Sequence, residues 1–231
     1  MKLRDHLQSL LQQGFHRIGQ IEILHGSSLP PNLDVSVHFV LLHQDDAFSE
    51  NLESFTDSAA ARQISTLSDD GEYRFTKGQT NLRTGWVMFL SSLDDLLLAL
   101  EGFYPAGFSL WAAQKNGTLQ VENLRDKLAR QTGMYRFAKG ISDAGAQKLV
   151  QKVCGPEHQC AKKILWQLDP ATPLDDSAAS RFNGIASGLS EPFAIPLLCR
   201  EACNHFVAEC RIASKKEFEE KQAQSSTPSP T

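Results

Sequence analysis

No cysteine occurs before Cys154; all five lie between Cys154 and Cys210, in the last third of the chain. An odd number, gathered in one region, argues against the even, widely spread disulfide framework of a small secreted domain. A basic surplus is also missing: 23 Lys and Arg against 27 Asp and Glu leave a formal charge of −4, whereas nucleic-acid binders carry a strongly basic face. No apolar run reaches the roughly 18 residues that a bilayer span needs. The most apolar stretch, Trp86 to Leu100, is interrupted by Ser91, Ser92, Asp94 and Asp95. The opening residues, MKLRDHLQSLLQQG, hold neither a continuous apolar block nor a small-residue cleavage site, so they do not read as a secretory signal and the cytoplasm is the expected location. Absent too are the phosphate loop G-x-x-x-x-G-K-S/T, a G-x-G-x-x-G after a strand, and a nucleophile elbow, which removes the sequence-level case for nucleotide binding or a serine hydrolase.

What is present is an ordinary globular composition of 231 residues, 41% hydrophobic and 22% charged. Leu3, Leu7, Leu10 and Leu11 recur at helical spacing over Leu3 to Gln13, closed by Gly14. Strand-like runs follow at Ile18 to Leu24, Val35 to Leu42, Glu72 to Phe75 and Gly85 to Leu90, with helices expected at Asp57 to Leu67 and Leu93 to Leu100. From Pro105 the pattern turns helical: Phe108 to Gln114, Val121 to Gln131, Asp143 to Val153, Ala161 to Gln167 and Glu201 to Ala213. The segment Asp169 to Glu191, rich in Ser, Gly, Asp and Pro, reads as a loop. The fold class expected is α+β: a small, mainly antiparallel sheet with helices in a supporting domain (1–106), a mostly helical cysteine-ligated domain (107–215), and a polar, disordered tail (216–231).

The cysteines fall into two pairs. Cys154-Gly-Pro-Glu-His-Gln-Cys160 has five intervening residues and Cys199-Arg-Glu-Ala-Cys203 has three. Four thiolates in two pairs suit an iron–sulfur cubane, structural zinc, or simply buried or reactive thiols. The five-residue gap leans toward the larger cluster, because structural zinc favours tighter knuckles. Gly155-Pro156 ends the helix before the first pair, and Cys199 precedes an expected helix, whose N-terminal N–H groups stabilise thiolate and sulfide charge. Lys162, Lys163 and Arg200 flank the cysteines, either offsetting cluster charge or sitting as solvated helix charges. Cys210, two helical turns beyond Cys203, reads as core packing, and His158 and His205 as neighbours rather than ligands. The Asp pairs 45–46, 69–70, 94–95 and 175–176 suit capping and turns, with Asp45-Asp46 the pair of most interest.

Seven segments in order then resemble one family: His43-Gln-Asp-Asp46, Gly71-Glu-Tyr-Arg74, Asn81-Leu-Arg-Thr-Gly-Trp86, Phe103-Tyr-Pro105, Arg130-Gln-Thr-Gly-Met-Tyr135, Cys160-Ala-Lys-Lys-Ile-Leu-Trp166 and Cys199-Arg-Glu-Ala-Cys203. Over about residues 20–212 the chain is similar to the C-terminal extension of CbiX-type sirohydrochlorin chelatases, a supporting domain followed by a 4Fe-4S domain. The resemblance implies a 4Fe-4S cluster on Cys154, Cys160, Cys199 and Cys203, although the gap between the first two is longer here than in the family. It implies an accessory role in tetrapyrrole metal insertion, of the cobalamin or sirohaem kind, beside a separate chelatase subunit. The chelatase domain has no counterpart in these residues, and His25-Gly26-Ser27 matches its histidine motif only by coincidence, so chelatase activity does not transfer. The alternative is a zinc-stabilised interaction module without redox chemistry. Tetrapyrroles of this type are flat and edged by carboxylates, which suits arginine forks and aromatic faces. Arg74, Lys77, Arg83, Arg130 and Arg136, with Tyr73, Trp86 and Tyr135, are therefore candidates for a substrate or partner surface; the plainer reading is ordinary surface charge and core aromatics.

Overall fold

Leu7, Leu10 and Leu11 form the buried stripe of helix α1 (Leu3–Gln12), which stops where Gly14 takes φ +90°. In the computed structural model, residues 2–46, 49, 51–66, 82–121, 123–154, 162–168 and 193–225 are described. They divide into two compact units, Met1–Leu119 with Leu189–Leu198, and Gln120–Gly188 with Cys199–Thr231.

The first unit is built on a six-stranded sheet. Its strands are β1 (Arg17–Ile18), β2 (Ile21–His25), β3 (Phe39–His43), β4 (Glu53–Phe55), β5 (Trp86–Leu90) and, far along the chain, β7 (Ala194–Ile195), in the order β4-β5-β3-β2-β1-β7. The segment expected as one strand from Ile18 is a hairpin: Ile18 pairs with Ile21 across a turn in which Gly19 adopts φ +55°. A Cβ at Gly19 would lie 2.8 Å from Leu197 Cδ1 and 3.0 Å from Tyr104 Cε2, so both the angle and the space demand glycine. β2, β3 and β5 pair antiparallel, with Ile23 opposite Leu41 and Leu41 opposite Met88. β4 pairs parallel with β5 and β7 parallel with β1. The α+β class holds, but the sheet is mixed rather than mainly antiparallel. Each edge is closed in parallel by a strand that returns after an intervening connection, as parallel pairing requires.

The strand expected from Val35 begins only at Phe39, and Val35 is 95% exposed. Ser36 donates both its backbone N–H and its hydroxyl to the Asp34 carboxylate, and this Asx turn holds the chain out of the sheet. Helix α2 (Ala60–Thr66) starts later than expected, and α3 (Leu93–Phe103) and α4 (Gly107–Lys115) run slightly longer. Ser92 caps α3 by accepting the Asp95 N–H at 3.1 Å. Trp86, fully buried, stacks on Phe103 with ring centroids 4.7 Å apart, joining sheet to helix in the core. α3 and α4 meet at 99°, and among the described residues no single helix is long and apolar enough to cross a membrane.

The second unit is mostly helical: α5 (Leu124–Ala129), a 3₁₀ segment (Gly133–Gly140), α6 (Asp143–Cys154) and α7 (Asn204–Ser225). The helix expected over Ala161 to Gln167 is not formed. Lys162–Ile164 is instead a short strand, β6, and the backbone beyond it is committed elsewhere: Leu165 N–H donates to the Cys199 carbonyl, while the Gln167 and Leu168 carbonyls take the N–H groups of Leu124 and Arg125. α7 runs through Ser225, past the expected boundary at residue 215 and through part of the expected disordered tail. Glu217 explains part of this. Its carboxylate accepts the Ser142 N–H (2.9 Å) and hydroxyl (2.8 Å), capping α6 from the far side of the unit. The expected strand Glu72 to Phe75 and the loop Asp169 to Glu191 lie outside the described residues.

Candidate metal centre

Three of the four predicted ligands belong to or border the core of the second unit. Cys154 is the last residue of α6, Cys199 ends strand β8 (Leu197–Cys199), and Cys203 immediately precedes α7. All three belong to the core of the second unit: Cys154 is a member, and Cys199 and Cys203 are half-buried against it. Cys160 lies outside the described residues. Among the described residues no three His, Cys, Asp or Glu side chains are gathered as a metal-binding group.

The hydrogen bonding of the two thiols near the start of the last helix differs: Cys203 sulfur accepts and Cys199 sulfur donates. Cys203, and not Cys199 as expected, occupies the helix start: its carbonyl accepts the Val207 N–H at 3.0 Å and its Sγ accepts the Phe206 N–H at 3.4 Å. This is the position in which an N-cap side chain satisfies an otherwise orphaned helix donor. Cys199 Sγ sits 2.9 Å from the Glu201 carbonyl, to which the thiol donates. Glu201 in turn is paired with Lys127 at 3.1 Å. Arg200 is exposed, which accords with a solvated charge. Trp166, 3% exposed, packs against Phe206 in the same core. Three thiols on one core, with a helix terminus directed at one sulfur, fit the donor set of an iron–sulfur cluster; the residues that would hold it are these three with Cys160.

Cys210 behaves as core. It is fully buried, and burial pushes its thiol up to about 12, with Arg125 partly opposing the rise and Glu209 and Cys203 adding to it.

The other candidates separate. Arg74, Lys77 and Tyr73 lie outside the described residues. Arg83 pairs with Glu53 at 2.6 Å, and its carbonyl accepts the Trp86 indole N–H at 2.7 Å, so this pair serves the first unit's core. Arg130 ends α5. Arg136 lines a groove of about 580 Å³ between the 3₁₀ segment and α7, and stacks over Phe137 at 5.0 Å. Lys215 Nζ also lies over Phe137, 5.4 Å from its ring centre. Lys139, Lys215, Lys221 and the exposed ring of Phe218 complete the groove. None of these was marked in the sequence, because α7 was expected to end before most of them. Asp46 is buried and accepts the Gly85 N–H at 2.7 Å, a structural task that accounts for its place in the Asp45-Asp46 pair.

Comparison with known proteins agrees with this division. Residues 5–115 match the DR2241 stabilising domain, and residues 116–212 match the 4Fe-4S iron-sulfur cluster binding domain. No curated protein matches the sequence. Among solved structures, DR2241 from Deinococcus radiodurans, described as a multi-domain protein with structural similarity to chelatases and two additional novel domains, superposes with a TM-score of 0.67 at 20% identity. The superposition covers 93% of this chain and 42% of that one, so the chain spans less than half of its relative's length, and what is shared is the fold. With the two matches back to back, the chain carries a DR2241 stabilising domain followed by a 4Fe-4S iron-sulfur cluster binding domain, the arrangement of the CbiX-type C-terminal extension that its motifs resemble.

Proposed function

We propose that the chain is an iron–sulfur accessory protein of tetrapyrrole metal insertion, holding a 4Fe-4S cluster on Cys154, Cys160, Cys199 and Cys203 and working beside a chelatase in the cytoplasm. What supports the reading is the match of residues 116–212 to a 4Fe-4S domain, within which Cys154, Cys199 and Cys203 all belong to or border one core. The chelatase-like character of the related protein from Deinococcus radiodurans supports the tetrapyrrole half.

When bound, such a cluster supplies one-electron chemistry and folding free energy. The protein's own part is to present the thiols, with the Phe206 N–H at the start of α7 directed at Cys203 Sγ, and to keep water from the core, which Trp166, Phe206 and Val207 do. The groove at Arg136 suits a planar polycarboxylate. Four cations, Arg136, Lys139, Lys215 and Lys221, face two carboxylates, and one of these, Glu217, is already engaged by Ser142. Local charge is thus opposite in sign to the −4 of the whole chain, and the Phe137 and Phe218 rings offer flat faces for a macrocycle.

The test is the absorption spectrum, with iron and sulfide quantitation, of protein purified without oxygen. About four irons and four sulfides per chain and a broad band bleached by dithionite are expected. A colourless protein with one tightly held zinc, and no iron after reconstitution, selects the zinc-stabilised interaction module instead. Sirohydrochlorin titrated into the loaded protein tests the second half. Arg136→Ala combined with Lys215→Ala should weaken binding at least tenfold, and unchanged binding removes the groove from the proposal.

A further inference from the structure

An indole N–H is a donor with no acceptor function, and a buried tryptophan nearly always places it on a partner. Trp86 and Trp166, both buried, differ in this respect. Trp86 donates to the Arg83 carbonyl at 2.7 Å. Trp166 is 3% exposed, yet its Nε1 finds no hydrogen-bond partner among the described residues. Leaving such a donor unsatisfied is destabilising, and a phenylalanine would fill a core position without that cost.

The surroundings say what the donor faces chemically. Leu165, the residue before Trp166, donates its N–H to the Cys199 carbonyl at 2.9 Å. Phe206, on which the indole packs at 5.2 Å between ring centres, donates its N–H to Cys203 Sγ at 3.4 Å. Trp166 is thus one covalent step from a residue bonded to one cysteine, and in ring contact with a residue bonded to another. Its other companions in the core, such as Ile164, Ala202 and Val207, carry no side-chain acceptor.

We propose that Trp166 Nε1–H donates a hydrogen bond to sulfur of the iron–sulfur cluster held at these cysteines, which makes Trp166 a positioning residue that tunes the cluster. The inference rests on the cluster reading above. A donor to cluster sulfur favours the reduced, more negative state and raises the reduction potential. It also resolves the orphaned donor, since sulfide and cysteinate are acceptors available in an otherwise apolar core.

The experiment uses the full chain, purified without oxygen and labelled with ¹⁵N at the indole nitrogen. Pulsed electron paramagnetic resonance of the reduced cluster should show an indole ¹⁵N coupling that disappears in Trp166→Phe. That variant should keep the wild-type iron and sulfide content while its potential moves to more negative values and its Fe–S stretching frequencies shift. An intact wild-type cluster with no indole coupling overturns the proposal even where Trp166→Phe does not fold, and an unchanged potential in a fully loaded variant overturns it as well. Wild-type protein without iron removes the cluster reading itself, and this inference with it.

Discussion

Replacing Cys210 and Cys203 separately by alanine distinguishes packing from ligation in a thiol within α7 and one just before it. Cys210 is fully buried among Phe206, Val207 and Leu149. Cys210→Ala deletes one sulfur, close to a methyl group in size, and the loss of contacts with incomplete collapse around the gap costs about 1 kcal/mol. In a chain of this size that lowers the melting temperature by roughly 2–4 °C. Cys203→Ala acts differently. It removes a proposed ligand and the acceptor of the Phe206 N–H. Losing a metal group whose binding is folding free energy, on the order of 10 kcal/mol, is comparable with the whole stability of a domain. The assay is iron and sulfide content after purification without oxygen, followed by thermal unfolding monitored by circular dichroism. Cys210→Ala should retain full iron with a small shift in melting. Cys203→Ala should lose the cluster and most of the cooperative transition of the second unit. A Cys210→Ala protein short of iron, or a Cys203→Ala protein that keeps all of it, would refute the reasoning.

Three further substitutions test the first unit. Gly19→Ala imposes a left-handed residue, about 1–2 kcal/mol, and a contact of 2.8 Å with Leu197, worth about 1–3 kcal/mol more; urea unfolding showing less than about 1 kcal/mol would contradict the reading of this turn. Tyr104→Phe strips the acceptor from the Gln20 N–H, now bonded to the phenol oxygen at 3.1 Å, and should cost about 1–3 kcal/mol, with a neutral outcome pointing to water at that N–H. Ala106 precedes α4 at φ +58°, so Ala106→Gly should stabilise by up to about 1 kcal/mol, against the usual sign for this exchange in a helix; measurable destabilisation by the same urea assay would count against strain there.

Local chemistry was legible in the sequence and tertiary commitments were not. The α1 stripe, the Trp86 strand and the capped α3 follow from periodicity and capping, and their positions agree closely with expectation. Residues 162–167 read as helix by composition, but their backbone groups are taken up by Cys199, Leu124 and Arg125, which lie far away in sequence. β7 is two residues long and sits beside Pro196, too little for any pattern to register. Glu217 looked like part of a charged tail because its partner, Ser142, is 75 residues away. In the site, clustering of the cysteines needed only counting. The helix start at Cys203 was assigned near Cys199 because the helix was read from Glu201, whereas α7 begins at Asn204. Trp166 stood in a matching segment, but its orphaned donor carried no signal, since that is visible only once burial is known.

The late strand β7 has a consequence for synthesis. β1 is left as an open sheet edge until Ala194 and Ile195 emerge from the ribosome, several seconds after α4 at ~5–20 residues per second. During that interval the nascent first unit exposes unpaired backbone groups that invite association with other chains. Cys199 and Cys203 follow within ten residues of Ala194. Closure of the first sheet and completion of the proposed cysteine set therefore arrive almost together, so a chain still in translation would hold neither a finished sheet nor a full set of thiols for iron.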